Sequence, residues 1–293
     1  MIDSFSQHRL REFFQSVAKA HQSALLMDYD GTLAAFQPMT REAHPYPGVP
    51  ELVERIMKTG RTRVVLISGR RAHEVISLLD ISPPPEVWGT HGLEHLRADG
   101  SYQMQSIDSY TAEALTAADQ WVDGLNLHHL AEHKPGSLAV HWRGLSDDEA
   151  HEIRAKVTLG WLTIADRGCL TLEQFDGGIE IRMNNRNKGD AVRAVLAEIN
   201  AGDPVAYLGD DESDEAAFRA LRGRGLSVLV RPQWRDTAAN LWIRPPAQLL
   251  SFLEDWLKAC RHGPDHDSES TQVGRDLIEL LDGLGNGRDS SSH

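Results

Sequence analysis

Apolar positions in the first third of the chain fall into short continuous runs separated by helical periodicity. Residues 24–27 form an apolar run that stops at Asp28. Residues 63–67 form a second, stopping at Ser68-Gly69-Arg70, and residues 86–88 a weaker third. Between them, residues 49–59 and 71–79 carry helical spacing. The alternation returns late in the chain. Residues 188–199, 213–221 and 249–260 read as helices, and 205–208 and 226–230 as strands. Strands alternating with helices predict an α/β fold, a parallel sheet covered on both faces.

The middle of the chain has another rhythm. Short strands are expected at 102–105, 138–142, 170–175 and 179–183, with helices near 111–125 and 147–159. This is an α+β pattern set inside an α/β one, with junctions near residues 95 and 183. The expected organisation is a discontinuous core of residues 1–95 plus 183–260 and an inserted domain of residues 96–182. A polar tail of residues 261–293 follows, rich in Asp, Ser, Gly and His, with one apolar patch at 277–284; the tail is expected to be disordered. No internal repeat is visible.

Composition narrows the function classes. The formal net charge is -13. Nucleic acid is thereby disfavoured as a partner, because phosphate backbones need clustered Lys and Arg. A small phosphorylated substrate is still allowed, since a local basic pocket is enough. Cys169 and Cys260 are far apart in sequence and make neither a disulfide framework nor a zinc site. Residues 1–21 are polar and lack the apolar core of a signal peptide. No stretch reaches transmembrane length. A cytoplasmic location and no membrane partner are expected.

Four segments carry chemistry. Asp28-Tyr29-Asp30-Gly31-Thr32 follows an apolar strand, and residues two apart in an extended backbone point to the same side. Asp28 and Asp30 can therefore face the crevice beyond the strand's carboxyl end, where open parallel sheets bind ligands. Gly31 lets the chain turn away. Taken alone, two such acids are better explained as turn formers and helix caps. Gly209-Asp210-Asp211-Glu212-Ser213-Asp214 places further carboxylates at a second strand end. Clustered carboxylates repel one another unless a cation sits among them, and Mg2+ is a hard ion that accepts such ligands. Ser68 stands at a third strand end, where a hydroxyl and helix-start N–H groups can meet a phosphoryl oxygen or simply cap a helix. Lys188, in Asn187-Lys188-Gly189, starts a helix, where the dipole disfavours a cation; pairing with phosphate and carboxylates gives it a reason.

In this order the segments resemble the four motifs of the haloacid dehalogenase (HAD) superfamily of phosphohydrolases. Within it, the chain resembles the trehalose-6-phosphate phosphatase family. The segments that carry the resemblance are Asp28-Tyr29-Asp30-Gly31-Thr32-Leu33, Ser68-Gly69-Arg70, His91-Gly92-Leu93-Glu94, Asn187-Lys188-Gly189 and Gly209-Asp210-Asp211-Glu212-Ser213-Asp214-Glu215. The resemblance spans roughly residues 24–257 and leaves out the two ends. Two positions depart from the family pattern, Ser213 in place of Thr and Met183 in place of Pro.

The resemblance implies a HAD-like Rossmannoid core with a parallel sheet and an inserted α+β cap domain. It implies a Mg2+-dependent phosphatase acting on a sugar phosphate. Asp28 would be the nucleophile and Asp30 the acid and base, while Ser68 and Lys188 would bind the phosphoryl oxygens. Asp28, Asp30 (through its carbonyl) and Asp210 would hold the metal, with Asp214 and Asp211 acting through a metal-bound water. Glu132, Lys134 and Glu180 match sugar-contacting positions of the cap; Arg70 and His91 would reach the substrate from the core. His141 and Arg143 fit the cap pattern as well, as they would a half-buried strand face. Trehalose 6-phosphate is the implied substrate. Alternatives are sucrose phosphate, glucosylglycerol phosphate or mannosylglycerate phosphate, a phosphomutase-type transfer, and a catalytically silent sugar-phosphate sensor.

Overall fold

A computed structural model describes residues 4–35, 43–168, 170–175, 177–184 and 186–261. The chain opens with α1 (Ser4–Lys19), β1 (Ser23–Met27), α2 (Val49–Lys58), β2 (Thr62–Ile67), α3 (Ala72–Leu79) and β3 (Glu86–Gly89). A hairpin of β4 (Glu94–Leu96) and β5 (Tyr102–Met104) follows. Next come α4 (Ser109–Gly124), β6 (Ala131–Lys134), β7 (Ser137–His141), α5 (Asp147–Gly168), β8 (Leu170–Phe175) and β9 (Gly178–Met183). The final stretch is α6 (Lys188–Glu198), β10 (Val205–Gly209), α7 (Glu215–Ala220), β11 (Leu226–Val230), β12 (Leu241–Ile243) and α8 (Ala247–Arg261).

The strands form two sheets. The larger has the order β12-β11-β10-β1-β2-β3-β4-β5, parallel from β12 to β3 and antiparallel thereafter. β1 sits at its middle, pairing Met27 with Leu208 on one side and Leu66 on the other. The apolar runs are continuous because both faces are covered. On one face, Leu25, Met27, Val64 and Leu66 pack with Phe14, Val53, Phe252 and Trp256 of α1, α2 and α8. On the other, Leu26, Val65, Ile67 and Tyr207 pack with Val192, Val195 and Phe218 of α6 and α7. The smaller sheet, β6-β7-β9-β8, is antiparallel. One face of it is apolar, with Leu138, Val140, Ile179 and Ile181 covered by Val122 of α4 and Val157 and Trp161 of α5.

The structure departs from the sequence expectation at several elements. Residues 102–105 are expected in the inserted segment, yet Tyr102–Met104 pairs with β4 and extends the large sheet. All three β5 residues are exposed, so no apolar pattern marks the sheet to which they belong. The polar start of the chain is the helix α1, whose buried Leu10, Phe14 and Val17 lie on one face at helical spacing. Helix α5 runs past residue 159 through Gly160, against which the Trp121 indole is laid. Cys260 is buried, whereas Cys169, the tail 262–293 and its apolar patch lie outside the described residues. Among the described residues, no helix is long and apolar enough to cross a membrane.

Candidate active site

The chemistry-bearing loops leave the carboxyl ends of neighbouring strands β1, β2, β3 and β10. The Asp28 N–H donates to the Leu208 carbonyl at 2.8 Å, carrying the β1–β10 ladder one residue past the strand. Gly31, at φ +77°, then turns the chain, its N–H donating to the Ala34 carbonyl at 2.8 Å. The loops after β2 and β3 are tied together. The Thr90 N–H donates to the Arg70 carbonyl at 2.8 Å, and the His91 N–H to the Ser68 carbonyl at 3.0 Å. Thr90 and His91 both take left-handed backbone conformations, at φ +49° and +54°. Glu94, 1% exposed, holds this turn, accepting from Thr90 Oγ1 at 3.0 Å and from the Ala72 N–H at 2.9 Å.

At the centre is a buried charge cluster. Lys188 enters from the first turn of α6, which Asn187 and Asp190 close with a reciprocal capping box. Its Nζ lies 2.7 Å from Asp28 Oδ2 and 2.8 Å from Asp214 Oδ1. A lysine this deeply buried must be paired. Burial alone would lower the Lys188 ammonium pKa; the Asp214 and Asp28 carboxylates reverse that and raise it. Burial pushes the Asp28 carboxyl up to about 8, against Lys188 and with help from Asp214 and Asp30. Burial, with Asp214 and Asp28, likewise raises Asp210.

Asp28, Asp210 and Asp214 bring one carboxylate oxygen each within 4.8 Å of one another. An all-oxygen, anionic set of this kind suits a hard divalent cation. The three are not equally available. Asp214 accepts from Lys188 at 2.8 Å, Tyr207 Oη at 2.5 Å and the backbone N–H groups of Asp210 and Asp211 at 3.0 Å each. Its lone pairs are committed to the protein. Among the described residues, Asp210 accepts a long bond of this kind, from Thr32 Oγ1 at 3.3 Å. Asp211 caps the following turn, its Oδ1 accepting from the Glu212 N–H at 2.8 Å.

Around this cluster lies a cleft walled by residues from both sheets. The loops at the strand ends of the large sheet contribute Asp28, Asp30, Arg70, His91, Asp210 and Asp211 to its walls, and α6 contributes Lys188. Arg70 grips Asp30 in a two-pronged ion pair, Nε to Oδ2 at 2.6 Å and Nη2 to Oδ1 at 2.5 Å. The small sheet contributes Glu132, Lys134, His141 and Glu180. Here Glu132 accepts from His141 at 2.7 Å and lies 3.5 Å from Lys134. Burial opposes the charged form of Glu132, yet His141 and Lys134 take its carboxyl down to about 2. Glu180 takes Ser137 Oγ at 2.7 Å and lies 3.7 Å from Lys134. Burial works against its charge too, but Lys134 and His91 hold its carboxyl well below the usual range.

Two residues marked by the sequence stand behind the cleft wall instead of lining it. Ser68 is fully buried, and its Oγ accepts from the Arg70 N–H at 3.1 Å. Asp214 is fully buried among the donors already named. Conversely, Glu173 and Phe175 of β8 line the cleft, and Tyr207 and Ser137 orient its carboxylates, without having been marked. A tyrosine inside an apolar strand and a serine beside a glycine give no signal of their own; only the acids they serve do.

Comparison with known proteins identifies the family and the fold. The sequence profile described as trehalose-phosphatase matches residues 26–240. A trehalose-phosphate phosphatase of Mycobacterium leprae is 30% identical over 255 residues, covering 80% of this chain and 57% of that protein. The chain spans 57% to 64% of the length of the mycobacterial trehalose-phosphate phosphatases it matches. Among solved structures, the C-terminal domain of a Candida albicans trehalose-6-phosphate phosphatase superposes with a TM-score of 0.70 at 18% identity, covering 86% of this chain and 96% of that one. An Aspergillus fumigatus trehalose-6-phosphate phosphatase gives 0.61 at 21% identity, covering 86% and 97%. At such identities the likeness to the solved structures is one of fold. The profile match covers most of the chain and runs through the Asp28, Ser68, Lys188 and Asp210 segments, so the chain belongs to the trehalose-phosphatase family.

Proposed function

We propose that the protein is a phosphatase that hydrolyses trehalose 6-phosphate to trehalose and phosphate through an aspartyl-phosphate on Asp28. The observation that carries this reading is the buried set of Asp28, Lys188, Asp210 and Asp214 at adjacent strand ends, opening onto a cleft whose far wall is polar. Family membership supports it, and so do the names of the mycobacterial relatives.

In this mechanism an Asp28 carboxylate oxygen forms a bond to phosphorus as the bond from phosphorus to the sugar oxygen breaks. Asp30 gives that oxygen its proton. Water then attacks the phosphorus of the aspartyl-phosphate, Asp30 takes the water's proton, and the Asp28 carboxylate is restored. Lys188 places a cation beside the attacking oxygen and the phosphoryl group. Ser68 acts here by fixing the Arg70 loop through the Arg70 N–H. The donor set fits Mg2+: Asp28 and Asp210 would hold it, with Asp214 orienting Lys188 and the Asp210 loop from behind. Bound there, the cation would offset the repulsion between the carboxylates and the incoming phosphate.

The small sheet acts as a cap over the cleft. Glu132, Lys134 and Glu180 supply acceptors and donors for sugar hydroxyls, and Arg143 and Glu173 widen that polar wall. The test is phosphate release across a panel of sugar phosphates, with and without chelator. Release from trehalose 6-phosphate that stops with chelator and returns with Mg2+ is expected. Undiminished release in excess chelator would reject the metal part, and no release from any sugar phosphate would reject the phosphatase reading.

A further inference from the structure

The Asp210–Asp211 loop is held from two sides, and only one belongs to the cluster described above. Its N–H groups face Asp214 Oδ2. Its carbonyls face the segment after β11. Arg235 donates from Nε to the Asp210 carbonyl at 3.3 Å and from Nη2 to the Asp211 carbonyl at 2.6 Å. Arg231 adds a longer contact from Nη1 to the Asp210 carbonyl at 3.4 Å. Arg235 is itself fixed, with Nη1 donating to the Asp236 carbonyl at 2.8 Å and lying 2.8 Å from Glu215 Oε1. Glu215, at the start of α7, also accepts from Thr237 Oγ1 at 2.7 Å and from the Ala238 N–H at 2.8 Å.

We propose that Arg235 is a positioning residue for the divalent-cation site, clamping the Asp210 and Asp211 carbonyls so that the Asp210 carboxylate is aimed into the cluster before metal binds. The inference rests on the reading of Asp210 as a metal-holding residue. Arg235 does not line the substrate cleft. Its guanidinium therefore acts on the site through the loop and through its charge, with no contact to the substrate. A planar fork with two directed donors suits two successive carbonyls, which a lysine ammonium cannot span in the same way. The cation also sits beside a stretch of consecutive acids, Asp210-Asp211-Glu212, which would otherwise repel one another. Groups that orient ligands without touching the metal commonly change metal affinity by about 10- to 100-fold when removed.

The test is Mg2+ titration into metal-free protein by calorimetry, for the parent, Arg235→Gln, Arg235→Lys and Arg231→Gln. The expected result is an Mg2+ Kd about tenfold higher in Arg235→Gln, with smaller losses in Arg235→Lys and Arg231→Gln. KM for the sugar phosphate at saturating Mg2+ stays near the parent value. A merely structural role would lower the melting temperature and leave the Kd alone. If Arg235→Gln does not fold, Arg235→Lys and Arg231→Gln carry the measurement. Parent-like Kd values in every folded variant would overturn this inference alone. A parent that binds no Mg2+ would overturn it together with the metal reading.

Discussion

His91 and Glu180 join the two sheets across the cleft: His91 Nε2, in the left-handed turn after β3, lies 3.1 Å from Glu180 Oε2 on β9. The His91 ring occupies the space that a side chain at residue 69 would need, since a Cβ there would come 2.8 Å from His91 Cε1. Gly69 lies outside the left-handed region, so alanine there adds no backbone strain, only displacement of that ring. Gly69→Ala is thus expected to act like His91→Ala. Loss of one hydrogen bond to a charged group should cost about tenfold in kcat/KM on the sugar phosphate. Activity on a small aryl phosphate should stay near the parent's. Parallel loss on both substrates would mean that the pair serves the reacting phosphate and not cap closure.

Asp28→Asn separates chemistry from scaffold. Asparagine is nearly isosteric and cannot form the acyl phosphate. A fall in turnover on the order of a thousandfold or more is expected. The fold should be retained, because the change removes one of three mutually repelling carboxylates and leaves Lys188 paired with Asp214. The metal-free variant should therefore melt no lower than the parent. Near-parental turnover in Asp28→Asn would mean that water attacks phosphorus directly.

A third expectation concerns acid stability. Glu86, 5% exposed, bonds to Arg63 Nε at 2.8 Å, His95 Nε2 at 2.7 Å and Trp88 Nε1 at 3.0 Å. Burial opposes its charge, but His95 and Arg63 prevail and bring the carboxyl from 4.5 down to about 2. A carboxylate whose folded pKa is depressed stabilises the fold above its unfolded pKa. That contribution is lost as pH falls from about 4.5 to about 2. Its size is at most on the order of 3 kcal/mol. Urea unfolding across this range should give a shallower acid dependence for Glu86→Gln, the gap to the parent narrowing as pH falls. A gap that stays constant with pH would mean that Glu86 acts by packing alone.

The central strands were legible because each is buried on both faces and reads as a continuous apolar run ending at an acid, a serine or a glycine. The same property hid what lies outside such strands. Strand β6 holds Glu132, His133 and Lys134, faces the cleft, and carries no apolar alternation to mark it. Strand β12 has only three residues. At the site, the acids stood out because they cluster at two strand ends and repel one another without a cation, and Lys188 because the dipole disfavours a cation at a helix start. The residues that partner the loop backbone, such as Arg235, did not, since a surface arginine in sequence looks the same whether it bonds carbonyls or water. Asp214 could be found from the motif, but only its four donors reveal that it faces the protein.

Substrate choice should depend on the far wall of the cleft. Trehalose 6-phosphate and glucose 6-phosphate present the same phosphate ester to Asp28, so any preference must come from the second sugar. Glu132, Lys134 and Glu180 are already bonded to one another and to His141, Ser137 and His91. A sugar hydroxyl entering there meets a prearranged set of charged partners and gains hydrogen bonds that a substrate without it cannot make. Binding energy from the remote ring also draws the cap down, so a substrate lacking it should lose turnover as well as affinity. We expect kcat/KM for trehalose 6-phosphate to exceed that for glucose 6-phosphate by at least about a hundredfold, roughly two such hydrogen bonds. Glu132→Ala should erode the ratio while sparing activity on a small aryl phosphate. It also leaves Lys134 and His141 with fewer acidic partners, so Glu132→Gln, which keeps the side-chain shape, is the companion variant. Equal efficiency on the two sugar phosphates, unmoved by either substitution, would reject the disaccharide reading and leave a phosphatase that recognises only the phosphate and the sugar next to it.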